Sequence, residues 1–101
     1  MTTVTLERTG SKYTDFWYTV EAKGHATGRP EVCTAVSILI QTLHTWLEAS
    51  GATMSEKTIG SGECRLRFTG KGCGTAFEVV QAGFMRMAAT NPKDVKCVVK
   101  R

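Results

Sequence analysis

Two residues whose side chains can do chemistry together stand close in the chain, His25 and Cys33, within "GHATGRPEVCTAVS" at 24–37. A thiolate is the reactive form of cysteine, and an imidazole within hydrogen-bond reach can generate it. A helix N-terminus stabilises the same anion through its backbone N–H groups and dipole. Cys33 falls in the first turn of a helix that Pro30 can open, at the edge of that helix's apolar stripe, where a side chain is half open. His25 ends a strand and precedes the helix by one short loop, so strand end and helix start can bring imidazole and sulfur together. The residues alone allow two readings. In one, the pair is catalytic; in the other, Gly24 makes a turn, His25 is exposed on it and Cys33 is helix packing.

Other reactive residues compete less well. His44 shares the helix with Cys33, but eleven residues of helix at about 1.5 Å each separate them by roughly 16 Å. Cys64 and Cys97 alternate in step with Leu66, Phe68, Val95 and Val99, which assigns them to the core as small hydrophobes. Cys73 opens a second helix inside "GKGCGT" and could be activated by that terminus. No CxxC or HxxxH spacing appears, so no metal site and no cofactor are expected. "TGKGCGT" lacks the spacing of a phosphate-binding loop and reads as a helix entry.

The elements that must position these residues follow from periodicity. "TTVTLERT" and "DFWYTVEAK" alternate apolar and polar residues, and "TGSK" between them supplies a turn, giving a hairpin that ends near Gly24. From Val32 to about Ser50 the period becomes helical, with Val32, Ala35, Val36, Leu39, Ile40, Leu43, Trp46 and Leu47 on one stripe. Pro30 suits the first turn of that helix and Gly51 its exit. "ATMSEKTIGSGECRLRFTG" reads as a second hairpin about a Gly-Ser-Gly turn. Phe77, Val80, Phe84, Met87 and Ala88 mark a second helix, stopped by Asn91-Pro92, with Gly83 a weak point inside it. "DVKCVVK" closes the chain as a strand. The order ββαββαβ predicts an α+β fold, a two-layer sandwich with two helices on one face of a mainly antiparallel sheet.

Bulk properties bound the rest. The chain has 101 residues, 42% of them hydrophobic and 22% charged, which suits one globular domain over residues 1–101 and neither a disordered nor a fibrous chain. The net charge of +4 comes from scattered Lys and Arg, which reads as a solvated basic surface and gives no reason to expect nucleic acid as a direct ligand. No stretch is long enough for a membrane span, and "MTTVTLERTG" lacks the pattern of a secretion signal. A cytoplasmic location with reduced thiols is expected.

With the motif and the element order in hand, "GHA" followed by "VCTAVSILIQTL" resembles the ribosomal-processing cysteine protease (Prp) family, whose members show a Gly-His-Ala strand end and a Val-Cys-x-Ala-Val-Ser helix start. Chain length and element order are similar as well. The resemblance implies that His25 and Cys33 are the catalytic pair, that Gly24 fixes the turn at the histidine, and that Ser37 belongs to the helix motif. It also implies a cytoplasmic homodimer that removes a short N-terminal extension from large-subunit ribosomal protein twenty-seven, cutting after an aromatic-rich sequence. Relatives encoded by bacteriophages imply a capsid or scaffold protein as the other substrate class. The sequence departs from the family at the loop "ATGRPEV", which is a few residues short and carries Glu31 where the family has an aspartate.

The chemistry so implied is peptide hydrolysis, with His25 as base, Cys33 as nucleophile and backbone N–H groups around Cys33 holding the oxyanion. Ser37 is either a supporting hydrogen bonder or a small residue on the helix flank. Asp15, Glu21 and Glu31 are the carboxylates near enough in sequence to orient His25. Two non-catalytic readings stand beside this one: a basic ribosome- or RNA-associated binding module, which lacks the aromatic-studded basic strand that single-stranded RNA readers favour although Trp17 and Tyr18 lie on a strand, and a dimer that keeps an inactive site.

Overall fold

The computed structural model describes residues 1–10, 15–25, 28–60 and 62–100. Strand β1 (Thr2–Thr9) and β2 (Trp17–Lys23) are followed by helix α1 (Pro30–Ser50). Strands β3 (Thr53–Gly60) and β4 (Glu63–Thr69) precede helix α2 (Cys73–Thr90) and the last strand β5 (Val95–Lys100). The order ββαββαβ is as expected, and so are both helix entries and exits. Pro30 stands in the first turn of α1, and Gly51 ends it in the left-handed region at φ +73°. The first hairpin's expected turn, "TGSK", lies partly outside the described residues.

The five strands form one sheet in the order β3-β4-β2-β1-β5. All neighbouring pairs run antiparallel except β1 and β5, which are parallel. Each helix therefore links two parallel strands across intervening ones: α1 carries the chain from β2 over β4 to β3, and α2 from β4 over β2 and β1 to β5. Long crossovers of this kind need a helix packed back onto the sheet, and both helices contribute to the same core.

Alternation selects the inward row. Val4, Leu6, Val20, Ala22, Leu66, Phe68 and Val95 are buried against Val36, Ile40, Leu43 and Leu47 of α1 and Phe77, Val80 and Phe84 of α2. Their neighbours in sequence face outward. There Arg65 bonds Glu21 at 2.6 Å and also bonds Glu56, while Arg67 stacks over Trp17 at 4.3 Å. The expected α1 stripe is wider than the buried one: Ala35 is exposed and Trp46 is 38% exposed, its ring lying beside Gly72 at the α2 entry. Strand β3, at the sheet edge, is almost wholly exposed, and its Glu56 and Lys57 discourage pairing with another chain.

Candidate active site

At the end of β2 the chain must leave the sheet sharply. Gly24 does this at φ +91°, and a Cβ there would run into the Met1 carbonyl oxygen, so no other residue fits without strain. The Gly24 carbonyl accepts the Thr2 hydroxyl at 3.3 Å, and the His25 carbonyl accepts the Met1 amino group at 2.8 Å. The start of β1 thus holds the backbone of His25 on one side. The chain returns at Arg29 and Pro30, where α1 begins, and places Cys33 half-buried in the helix's opening turn.

His25 and Cys33 line one cleft of about 210 Å³. Its floor is the inward row at the end of the sheet: Thr2, Ala22 and Cys64. Val36 and Ser37, one turn beyond Cys33, extend the helical wall, and Gly60, Gly62 and Glu63 of the β3–β4 turn form the opposite lip. The wall residues are mostly small, so the space belongs to whatever enters it. Every residue expected to form the site, Gly24, His25, Cys33 and Ser37, lines this cleft.

The β3–β4 turn reaches His25 because β4 lies beside β2. Their ladder pairs Lys23 with Glu63 and continues into a backbone bond from Gly24 N–H to the Gly62 carbonyl at 2.9 Å. The imidazole lies directly against Gly62: a Cβ on that residue would come within 2.5 Å of His25 Nε2. Sequence reasoning missed this turn as part of the site. Its signal was the Gly-Ser-Gly itself, but only the neighbouring of β4 and β2 shows where the turn ends up.

The carboxylates near His25 in sequence are engaged elsewhere or distant. Glu21 faces outward and binds Arg65; Asp15 precedes β2 at the opposite end of the strand; Glu31 binds Arg29. Glu63, which sequence reasoning did not single out, is the carboxylate among the described lining residues. Arg29 also reaches Asp94 at 3.1 Å, tying the α1 entry to the turn before β5. Hydrogen bonding to Arg29 holds the Glu31 carboxyl below the ordinary range, and the same bond raises the Arg29 guanidinium.

Val32 N–H and Cys33 N–H both donate to the Arg29 carbonyl, at 3.1 and 3.4 Å. The longer of these bonds is Cys33's own. Ser37 Oγ accepts Gln41 Nε2 at 2.9 Å, so this side chain is held by the helix while it lines the cleft.

The other thiols separate cleanly. Cys73 does open α2, as expected, but it is fully buried, and burial pushes its thiol up; a helix terminus in the core does not activate it. Cys97 is half-buried and pushed up for the same reason. Cys64 keeps its inward direction and is half-buried against the core, as expected, and it also lines the cleft. Among the described residues, no group of three His, Cys, Asp or Glu is placed to hold a metal ion. No helix among them is long and apolar enough to cross a membrane.

No protein-family model and no curated protein sequence matches this chain. Solved structures do. SMU.848 from Streptococcus mutans superposes with a TM-score of 0.76 at 23% identity, over 100% of this chain and 96% of that one. The essential ribosomal processing protease Prp from S. aureus, in complex with a covalently linked product peptide, gives a TM-score of 0.79 at 13% identity, over 99% of this chain and 100% of that one. The same protease in complex with a substrate peptide gives 0.77 at 12% identity, with the same coverage. The chain therefore has the fold of the Prp structures from end to end.

Proposed function

We propose that this chain is a cysteine endopeptidase that trims a short N-terminal extension from a large-subunit ribosomal protein, or from a phage capsid or scaffold protein. The observation that supports this most directly is the meeting of His25 and Cys33 at one cleft lined by small residues. They come from different elements, and the fold is that of a processing protease seen with a peptide.

In this reading His25 takes the Cys33 proton, and the thiolate attacks the scissile carbonyl. His25, now protonated, delivers that proton to the leaving amine as the carbon–nitrogen bond breaks. A water, deprotonated by His25, then attacks the thioester and frees the product acid and the thiol. Backbone N–H groups around Cys33 at the helix start stabilise the oxyanion. The chain works in the cytoplasm as a homodimer, joined through the apolar groove of about 500 Å³ between α1 and α2, where Trp46 and Val79 are exposed.

The decisive experiment mixes the protein with the ribosomal protein bearing its extension and, separately, with phage capsid and scaffold candidates, and reads product masses. Cleavage of one of them, lost in Cys33→Ala and in His25→Ala, supports the reading and identifies the substrate class. Wild-type protein that cuts none of them, with Cys33 no more readily alkylated than Cys73, sinks it. Salt-sensitive RNA binding that survives Cys33→Ala would instead favour a binding module.

A further inference from the structure

We propose that Gly62, on the β3–β4 turn, is the positioning residue for the His25 imidazole. The inference rests on the peptidase reading for its functional consequence and on the contact geometry for its structural one. Two features converge on this residue. Its carbonyl accepts the Gly24 N–H at 2.9 Å, which fixes the backbone just before His25. Its bare Cα faces the imidazole so closely that a methyl group would lie 2.5 Å from Nε2, 3.2 Å from Cε1 and 3.3 Å from Cδ2.

All three atoms belong to the ring's Nε2 end, so the absent side chain makes room for that end in particular. His25 is otherwise exposed. An exposed imidazole has several rotamers open to it, and a flat backbone surface against the ring removes some of them. The backbone of His25 is thus held by the start of β1, and its ring by the turn of a different hairpin. Any side chain at 62 must displace the base from its place in the cleft. Misplacing a reacting group by about 1 Å costs roughly 100-fold in rate.

The backbone at Gly62 is also left-handed, at φ +78°, so strain and contact must be separated. Gly51 supplies the matched control: it has φ +73° and open space around it, at the far end of α1. Gly51→Ala carries the strain without the collision. Gly62→Asn keeps the collision while tolerating left-handed backbone, which guards against a Gly62→Ala variant that does not fold.

The readouts are the imidazole NMR signals, for which His44 is an internal reference as the chain's other histidine, and kcat and KM on a synthetic peptide spanning the extension junction of the ribosomal protein. Gly62→Ala and Gly62→Asn are expected to move the His25 signals and leave those of His44, and to lower kcat by roughly 100-fold with little change in KM. Gly51→Ala is expected to keep both signals and rate. His25 signals and kcat unmoved in a folded Gly62→Asn protein would overturn the proposal. Wild-type protein that cuts neither this peptide nor the phage capsid and scaffold candidates, while the His25 signals still move only in the Gly62 variants, supports the positioning contact and overturns the peptidase reading instead.

Discussion

Cys64 stands directly opposite Ala22 across the β2–β4 ladder, and together they floor the cleft that holds His25 and Cys33. Both positions point inward: Ala22 is buried, Cys64 is half-buried, and both border the cleft beside Val36 of α1. A larger side chain at 64 should fill that space. Cys64→Phe is expected to reduce kcat/KM on the junction peptide by roughly tenfold or more, the scale on which pocket size discriminates between substrates. Alkylation of Cys33 by iodoacetamide, a much smaller molecule, should persist. Peptide cleavage by Cys64→Phe at the wild-type rate would show that substrate does not use this floor.

Thiol reactivity should follow burial and not proximity to a helix terminus. Cys73 and Cys33 both stand at helix starts, but Cys73 has no exposed surface. Burial raises the thiols of Cys73 and Cys97, so at neutral pH both remain protonated, and their thiolate fraction grows only as pH rises past the ordinary cysteine range. In the folded protein at pH 7, iodoacetamide is therefore expected to modify Cys33 before Cys97 and to leave Cys73 untouched. Repeating the labelling at pH 9.5, about one unit above the ordinary cysteine value, should raise Cys97 labelling while denaturant is still needed for Cys73. Mass mapping of the labelled peptides reads the order directly.

The parts of this site written in local pattern were legible, and the part made by strand order was not. Pro30, the apolar stripe and Gly51 mark α1, and with it the place of Cys33; alternation through Ala22 and the break at Gly24 mark the place of His25. Nothing local says that β4 lies between β3 and β2, because strand order joins segments far apart in the chain. Gly62 and Glu63 enter the site only through that insertion. Cys64 illustrates the same limit within one strand. Its parity with Leu66 and Phe68 is readable and correct, whereas its place beside His25 and Cys33 depends on β4 lying next to β2. Trp46 is another instance: a stripe position on the helical wheel that ends over the groove toward α2.

Gly24 should be as sensitive in stability as in activity. Its φ of +91° already disfavours any L side chain, and the Cβ would meet the Met1 backbone, which cannot swing aside as a side chain can. The left-handed backbone alone costs about 1–2 kcal/mol in a non-glycine residue. Gly24→Ala is expected to lose at least that much by urea denaturation, with the added collision pushing β1 away from His25. Gly28→Ala makes a useful comparison, since Gly28 has a similar φ of +77° and open space; its loss should be confined to the strain. Equal midpoints for the two variants would mean that the β1 contact contributes nothing.

The apolar face of the helices should govern association. Val79 is 65% exposed and Trp46 38% exposed, and Leu39, Leu43 and Val80 line the groove they border. A specific dimer needs about 800 Å² buried on each partner, and an uncharged aromatic and aliphatic surface of this kind is suited to supply its centre. Val79→Glu places a charge there with no partner on the same face, which in a two-fold interface would be brought near its own copy. Sedimentation velocity is expected to show a dimer for the wild type and a monomer for Val79→Glu. The cleft is built from the first turns of α1 and the β3–β4 turn, away from this groove, so the monomer should still cut the junction peptide. A monomeric wild type across the accessible concentration range would remove the dimer from the proposal and leave the catalytic reading standing.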